Sequence, residues 1–173
     1  EAGHALVIAE VYSPDDVLAV DIRRRADTES LVLFANLQAR YAITRATVKK
    51  QLQVLLAGRA AEQVLLNDPD QLSRSDASDI RSATELAKKA IGQWGLSSTC
   101  DMVDKSQFSM SEAELQLEVG NWMTDAYNSA FAICEKKRPV LMRLAESLIK
   151  SQVLYFSDIQ RLLSVSKCSN SLH

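Results

Sequence analysis

The sequence predicts a mainly α-helical fold with a small two-stranded β element and a C-terminal helical bundle. Apolar residues recur at three- and four-residue steps through most of the chain from Thr44 onward. Only two short apolar or β-branched runs, 17–22 and 31–34, read as strands. The 173 residues also include just 5 Gly and 3 Pro, too few for a fold of many tight turns.

Taken in order, residues 1–11 form an apolar helix carrying Ala5, Leu6, Ile8 and Ala9, broken by Ser13-Pro14-Asp15-Asp16. The two strands follow, joined by the charged stretch Arg23 to Ser30, and a sheet so small leaves an edge open. A long helix opens at Thr44, with Val48, Leu52, Leu55, Leu56, Ala60 and Val64 on its inner face. It stops near Asn67-Asp68-Pro69, because Pro69 cannot continue it and disfavours helix at Asp68. After a polar loop over 70–77, a helix from about Ser78 to Gly92 repeats Ile80, Ala83, Leu86, Ala87 and Ala90. The apolar turn Gln93-Trp94-Gly95-Leu96 ends it, with Trp94 expected in the core, and a polar connection covers 97–109. Ser111-x-x-Glu114 is a capping box that opens a helix of about six turns to Cys134. Lys136-Lys137-Arg138 complements its negative end, and Pro139 suits the first turn of the next helix, which runs to about Lys150. Ser157-x-x-Gln160 is expected to cap a last short helix, with a frayed tail after Ser166.

Composition narrows the function. Hydrophobic residues make up 47% and charged residues 24%, which suits a globular domain and argues against disorder. Lys+Arg 20 against Asp+Glu 22 leaves a net charge of −2, so nothing electrostatic favours a nucleic-acid partner. Cys100, Cys134 and Cys168 are odd in number and far apart, and read as reduced thiols in a reducing compartment. No apolar run approaches the ~20 residues of a membrane span. With no initiator Met and no signal-peptide pattern, the chain is expected to be a piece of a longer protein.

The chemistry is concentrated at the start. A helix with His at i and i+4 holds both imidazoles on one face, where they grip one Zn²⁺, and a Glu after the first His reaches the attacking water as general base. Glu1-Ala2-Gly3-His4 supplies that Glu and the second His, without the residue before them. Alone, Glu-x-x-His is a weak signal, since a single His on an apolar helix is more often a core residue. Three further segments add to it: Leu55-Leu56-Ala57-Gly58-Arg59-Ala60-Ala61-Glu62, Ser75-Asp76-Ala77-Ser78-Asp79-Ile80 with Ala83-Thr84-Glu85-Leu86-Ala87, and Gln93-Trp94-Gly95-Leu96-Ser97. In this order the four segments resemble those of the FtsH family of ATP-dependent zinc metalloproteases, and the helices from Ser111 to Leu163 follow the family's C-terminal bundle.

The resemblance covers nearly the whole chain and implies a helical peptidase domain: residues 1–109 as the active-site part, 110–166 as the bundle, 167–173 as tail. It implies that Glu1 is the general base, that His4 and Asp79 are zinc ligands, and that Glu62 is an acidic residue close behind them. By position alone, Asp79 also reads as a helix N-terminal acid and Glu62 as a solvated one; Asp76 is the neighbouring alternative to Asp79. The implied reaction is peptide-bond hydrolysis on unfolded polypeptides, with residues 31–36 offering an edge for an added substrate strand. The family also implies an upstream ATPase module using ATP and Mg²⁺, a hexamer, and membrane segments upstream in a bacterial inner membrane, mitochondrion or chloroplast. This domain is itself expected to be soluble. Two departures stand out. Ala57 replaces the first Gly of the family's Gly-Gly-Arg-Ala-Ala-Glu, and 12–42 match loosely, with Arg23-Arg24-Arg25-Ala26-Asp27 in place of a Gly-containing loop. Lacking the first His, the chain as written is expected to bind zinc weakly and to cleave little. A catalytically inactive relative acting as an assembly or scaffold module is the alternative.

Overall fold

The computed structural model describes residues 1–23, 31–35, 42–66, 77–97 and 110–164. Among them are six α-helices: α1 (Ala2–Val11), α2 (Arg45–Leu66), α3 (Ala77–Gly92), α4 (Glu112–Lys136), α5 (Arg138–Ser151) and α6 (Phe156–Ser164). Strands β1 (Val17–Asp21), β2 (Leu31–Phe34) and β3 (Val153–Tyr155) form one antiparallel sheet in the order β2-β1-β3. The expected stop at Pro69, the loop around Asp76, most of the 97–109 connection and the tail after Ser166 lie outside the described residues.

Apart from His4 and the exposed Glu10, α1 is apolar on every side, so most of it sits inside. Ala5, Leu6, Val7 and Ile8 are each at most 1% exposed. α2 crosses it at Gly3, where a Cβ would lie 2.5 Å from the Ala57 carbonyl oxygen and run into the Ala61 Cβ. Only glycine permits that approach. Ala57, which departs from the resemblance, is fully buried, so its extra methyl fills core.

α2 links two apolar clusters. Its C-terminal half, through Ala57, Ala60 and Val64, packs with α1, β1 and α5; its N-terminal half, through Val48, Leu52 and Leu56, packs with α3 and α4 around Trp122. Thr44 and Thr47 close its start by exchanging backbone-to-hydroxyl hydrogen bonds of 2.8 and 3.2 Å. α4 opens with the expected capping box: Glu114 N–H donates to Ser111 Oγ at 3.2 Å and Ser111 N–H to Glu114 Oε2 at 2.9 Å. At its far end Lys137 Nζ pairs with Glu10 of α1 at 3.2 Å.

The sheet has a strand more than expected. β3 is three residues long, and its neighbour Gln152 adopts φ 61° as the left-handed end of α5. Gln152 also accepts a 2.9 Å bond from Ile22 N–H, which turns the chain directly from helix into sheet. Three residues are too short to show an alternation, which is why the strand was not expected. β1 carries a bulge between Val17 and Ala19. The inserted residue lets Val17 and Val20, three apart, both reach the core at 0% exposure.

Two local expectations change. α6 begins at Phe156, so Ser157 lies inside its first turn, and Gln160 Nε2 donates to the Pro14 carbonyl at 2.7 Å rather than reaching back to a cap. Trp94 is 41% exposed beside Ile43, at a turn where Gly95 takes φ 73°; Trp122, at 3%, is the core indole.

Candidate metal centre

Three helices bring chemistry-bearing side chains to one cleft. Glu1 is the N-cap residue of α1 and makes no side-chain cap bond, while its carbonyl accepts Ala5 N–H at 3.1 Å. His4 stands one turn further on, the imidazole of an otherwise buried apolar stretch. Asp79 lies in the first turn of α3 and Glu62 on α2. The cleft they line holds about 410 Å³.

His4 Nε2 faces Asp79 Oδ2 at 3.3 Å, across 75 positions of sequence, and His4 Nδ1 lies 4.0 Å from Glu1 Oε2. The His4 and Glu1 side chains are 16% and 20% exposed and that of Asp79 33%, so a ligand can reach them. Around a tetrahedral Zn²⁺ with bonds of about 2.0–2.1 Å, two donor atoms lie about 3.3–3.4 Å apart. The His4–Asp79 pair therefore fits one edge of such a site in donor type and in separation. A catalytic zinc site uses three protein ligands and leaves a position open. Among the described residues no group of three His, Cys, Asp or Glu side chains converges to hold a metal.

Glu62 lines the same cleft, so the acid singled out by the resemblance is local to the pair. Asp79 occupies both positions open to it from sequence, a helix N-terminal acid and a partner of His4. Asp76 lies outside the described residues.

The apolar part of the cleft lining was not legible in the sequence. It comprises Ile22, Leu65, Ala145, Leu148 and Ile149. Ile149 is 75% exposed, one residue off the inward stripe of α5 formed by Leu141, Leu144 and Leu148. A branched apolar residue just outside a helix's buried stripe was the available signal. Gly58 was quoted only as part of a motif; in the fold it lies directly under the His4 ring.

Cys134 is not among the residues that line this cleft. It is buried in the first cluster, and burial pushes its thiol up to about 12, so it behaves as a small apolar residue.

The model of peptidase family M41 matches residues 1–162. The chain is 30% identical over 172 residues to the ATP-dependent zinc metalloprotease FtsH of Neorickettsia risticii, covering 94% of this chain and 27% of that protein. It is 26% identical to the ATP-dependent zinc metalloprotease FtsH 4 of a Synechocystis species, over 99% of this chain and 30% of the relative. To the ATP-dependent zinc metalloprotease YME1L of Drosophila melanogaster it is 25% identical, over 96% and 24%. The chain thus spans between 24% and 30% of the length of these relatives. Because the family match begins at Glu1 and runs into α6, it takes in the whole described fold rather than one motif, and the chain belongs to peptidase family M41.

Proposed function

We propose that this chain is the peptidase part of an ATP-dependent zinc metalloendopeptidase, with His4 and Asp79 as zinc ligands, Glu1 as general base and Glu62 as an acid steadying the site. The 3.3 Å approach of His4 Nε2 to Asp79 Oδ2 carries the reading, because it joins two motifs far apart in sequence at a separation zinc requires. The third protein ligand belongs one helical turn before His4 on the same face, the position directly preceding Glu1.

A zinc ion held there supplies Lewis acidity toward the scissile carbonyl and the attacking water. Glu1, at the mouth of the cleft, accepts the proton of that water on its carboxylate and returns it to the leaving amine, a contribution of roughly 10²–10⁴-fold. Asp79 and His4 keep their donor atoms on one side and leave the other to substrate. The apolar wall of Ile22, Leu65 and Leu148 receives a substrate side chain beside the reacting bond. β2 is an edge of the sheet, and an extended chain added there is held by backbone bonds that do not read sequence. That suits unfolded polypeptides. Delivery by an ATPase module belongs to the same proposal for the parent protein, supported by the ATP dependence of its relatives, and a hexameric ring and a membrane anchor are inferred with it from the family resemblance. No described helix is long and apolar enough to cross a membrane.

The test adds one histidine directly before Glu1. Zinc affinity is expected to rise at least tenfold over the chain as it stands, with cleavage of an unfolded polypeptide appearing. In that background Glu1→Gln keeps the metal and loses cleavage, and Asp79→Ala loses both. Full zinc affinity in Asp79→Ala would overturn the ligand assignment. Zinc binding without any cleavage would favour the non-catalytic scaffold instead.

A further inference from the structure

We infer that Gly58 is a positioning residue for the metal centre: its missing side chain is the seat that holds the His4 ring at the angle where Nε2 meets Asp79. This rests on the proposed role of His4. A Cβ built at Gly58 would lie 2.8 Å from His4 Cε1, 3.4 Å from Nε2 and 3.6 Å from Nδ1. All three ring atoms lie over one point of α2, so the imidazole rests on the helix backbone where any other residue would project a methyl.

The need for glycine here is not conformational. Gly58 lies in mid-helix, 13 residues into α2, with no left-handed backbone. A glycine there costs helix stability relative to alanine. The three atoms nearest to the space it leaves all belong to the ring that the cleft chemistry uses. Gly3 differs, since a Cβ there meets α2 backbone that cannot move aside. At Gly58 the obstacle is the far end of a side chain, and the ring, not the fold, gives way. Restoring ordinary contact moves Cε1 by at least 3.4 − 2.8 = 0.6 Å. Metal-ligand distances are held to about 0.2 Å, so a tilt of the ring that clears Cε1 is expected to spoil the approach of Nε2 to Asp79.

Metal affinity and fold stability are therefore expected to move in opposite directions. Gly58→Ala is made in the chain carrying the added histidine before Glu1, and zinc affinity is read by competition with a chelating dye. His4 ring shifts are followed by NMR during zinc titration. Affinity is expected to fall about 10–100-fold, the range for residues that orient a ligand. The metal-free melting temperature is expected to hold, or to rise by about 1–4 °C. In a His4→Ala background, which removes the ring, Gly58→Ala is expected only to raise the melting temperature, with no further change in affinity. Unchanged zinc affinity in Gly58→Ala would overturn the inference, as would a fall in melting temperature that His4→Ala does not relieve. If His4→Ala itself leaves affinity intact, the ligand assignment has failed rather than the seat.

Discussion

His4 is held on three sides: Asp79 at its Nε2, Glu1 near its Nδ1 and Gly58 beneath the ring. Such a residue has little rotamer freedom left to lose when it binds a ligand, which favours a metal site prepared before the metal arrives. Nearby, Ile149 is bound by no such constraint. At 75% exposure, Ile149→Ser is expected to change stability by no more than about 0.5 kcal/mol in a denaturant titration. Cys134 gives a second check at this scale. Its thiol stays protonated and covered, so iodoacetamide at pH 8 is expected to leave it unmodified until the protein unfolds, as read by peptide mapping. Ionisation of the unfolded chain begins near the ordinary 9.0 and that of the folded chain near 12, so this thiol makes stability fall as pH rises through that interval.

At the scale of elements, the helix ends explain much of the order of the fold. Ser111 fixes where α4 starts, and Ser111→Ala is expected to cost about 1 kcal/mol in thermal or denaturant unfolding. The Ser111 hydroxyl and backbone hold the Glu114 carboxyl below its ordinary 4.5. The cap's ionic contribution is thus complete above that pH and is lost as pH falls through the lower folded value. Ser111→Ala is expected to flatten this acid limb of the stability curve. The buried pair Ser97–Glu118, 2.7 Å apart, ties the turn after α3 to α4, and Arg45 Nε donates to Leu96 O at 2.8 Å from the start of α2. Those bonds anchor the exit of α3, whose opposite end presents Asp79 to the cleft.

Across the whole molecule, α2 serves both apolar clusters, so neither is built without it. Leu6→Ala in the first cluster and Leu52→Ala in the second are each expected to cost about 2–5 kcal/mol, both side chains being fully buried. Each variant is expected to shift one common transition in calorimetry. A separate early transition in Leu52→Ala would show that the clusters unfold independently. The seam of Gly3 against Ala57 and Ala61 joins the first cluster to the cleft that holds His4 and Asp79. Packing there sets the distance between the helix bearing His4 and the helix bearing Gly58 and Glu62.

Local rules were enough to read the helices and their starts, because three- and four-residue periodicity and capping residues act within a few positions of chain. It was the resemblance of four ordered segments to a known family, not these rules, that marked Glu1, His4, Asp79 and Glu62 as the groups to watch. Local rules did not reach β3, whose three residues become a strand only because β1 offers them an edge. Nor did they reach the exposed Trp94, the apolar wall around Ile149 or the seat at Gly58. Each of those is defined by a neighbour distant in sequence. Sequence by itself determined which segments are helical and, through its resemblance to a family, which groups to look for; tertiary packing alone decided that an imidazole and a carboxylate 75 positions apart share one cleft. The physical reason is that periodicity and capping are short-range, whereas a donor pair 3.3 Å apart depends on how two helices are held against a third.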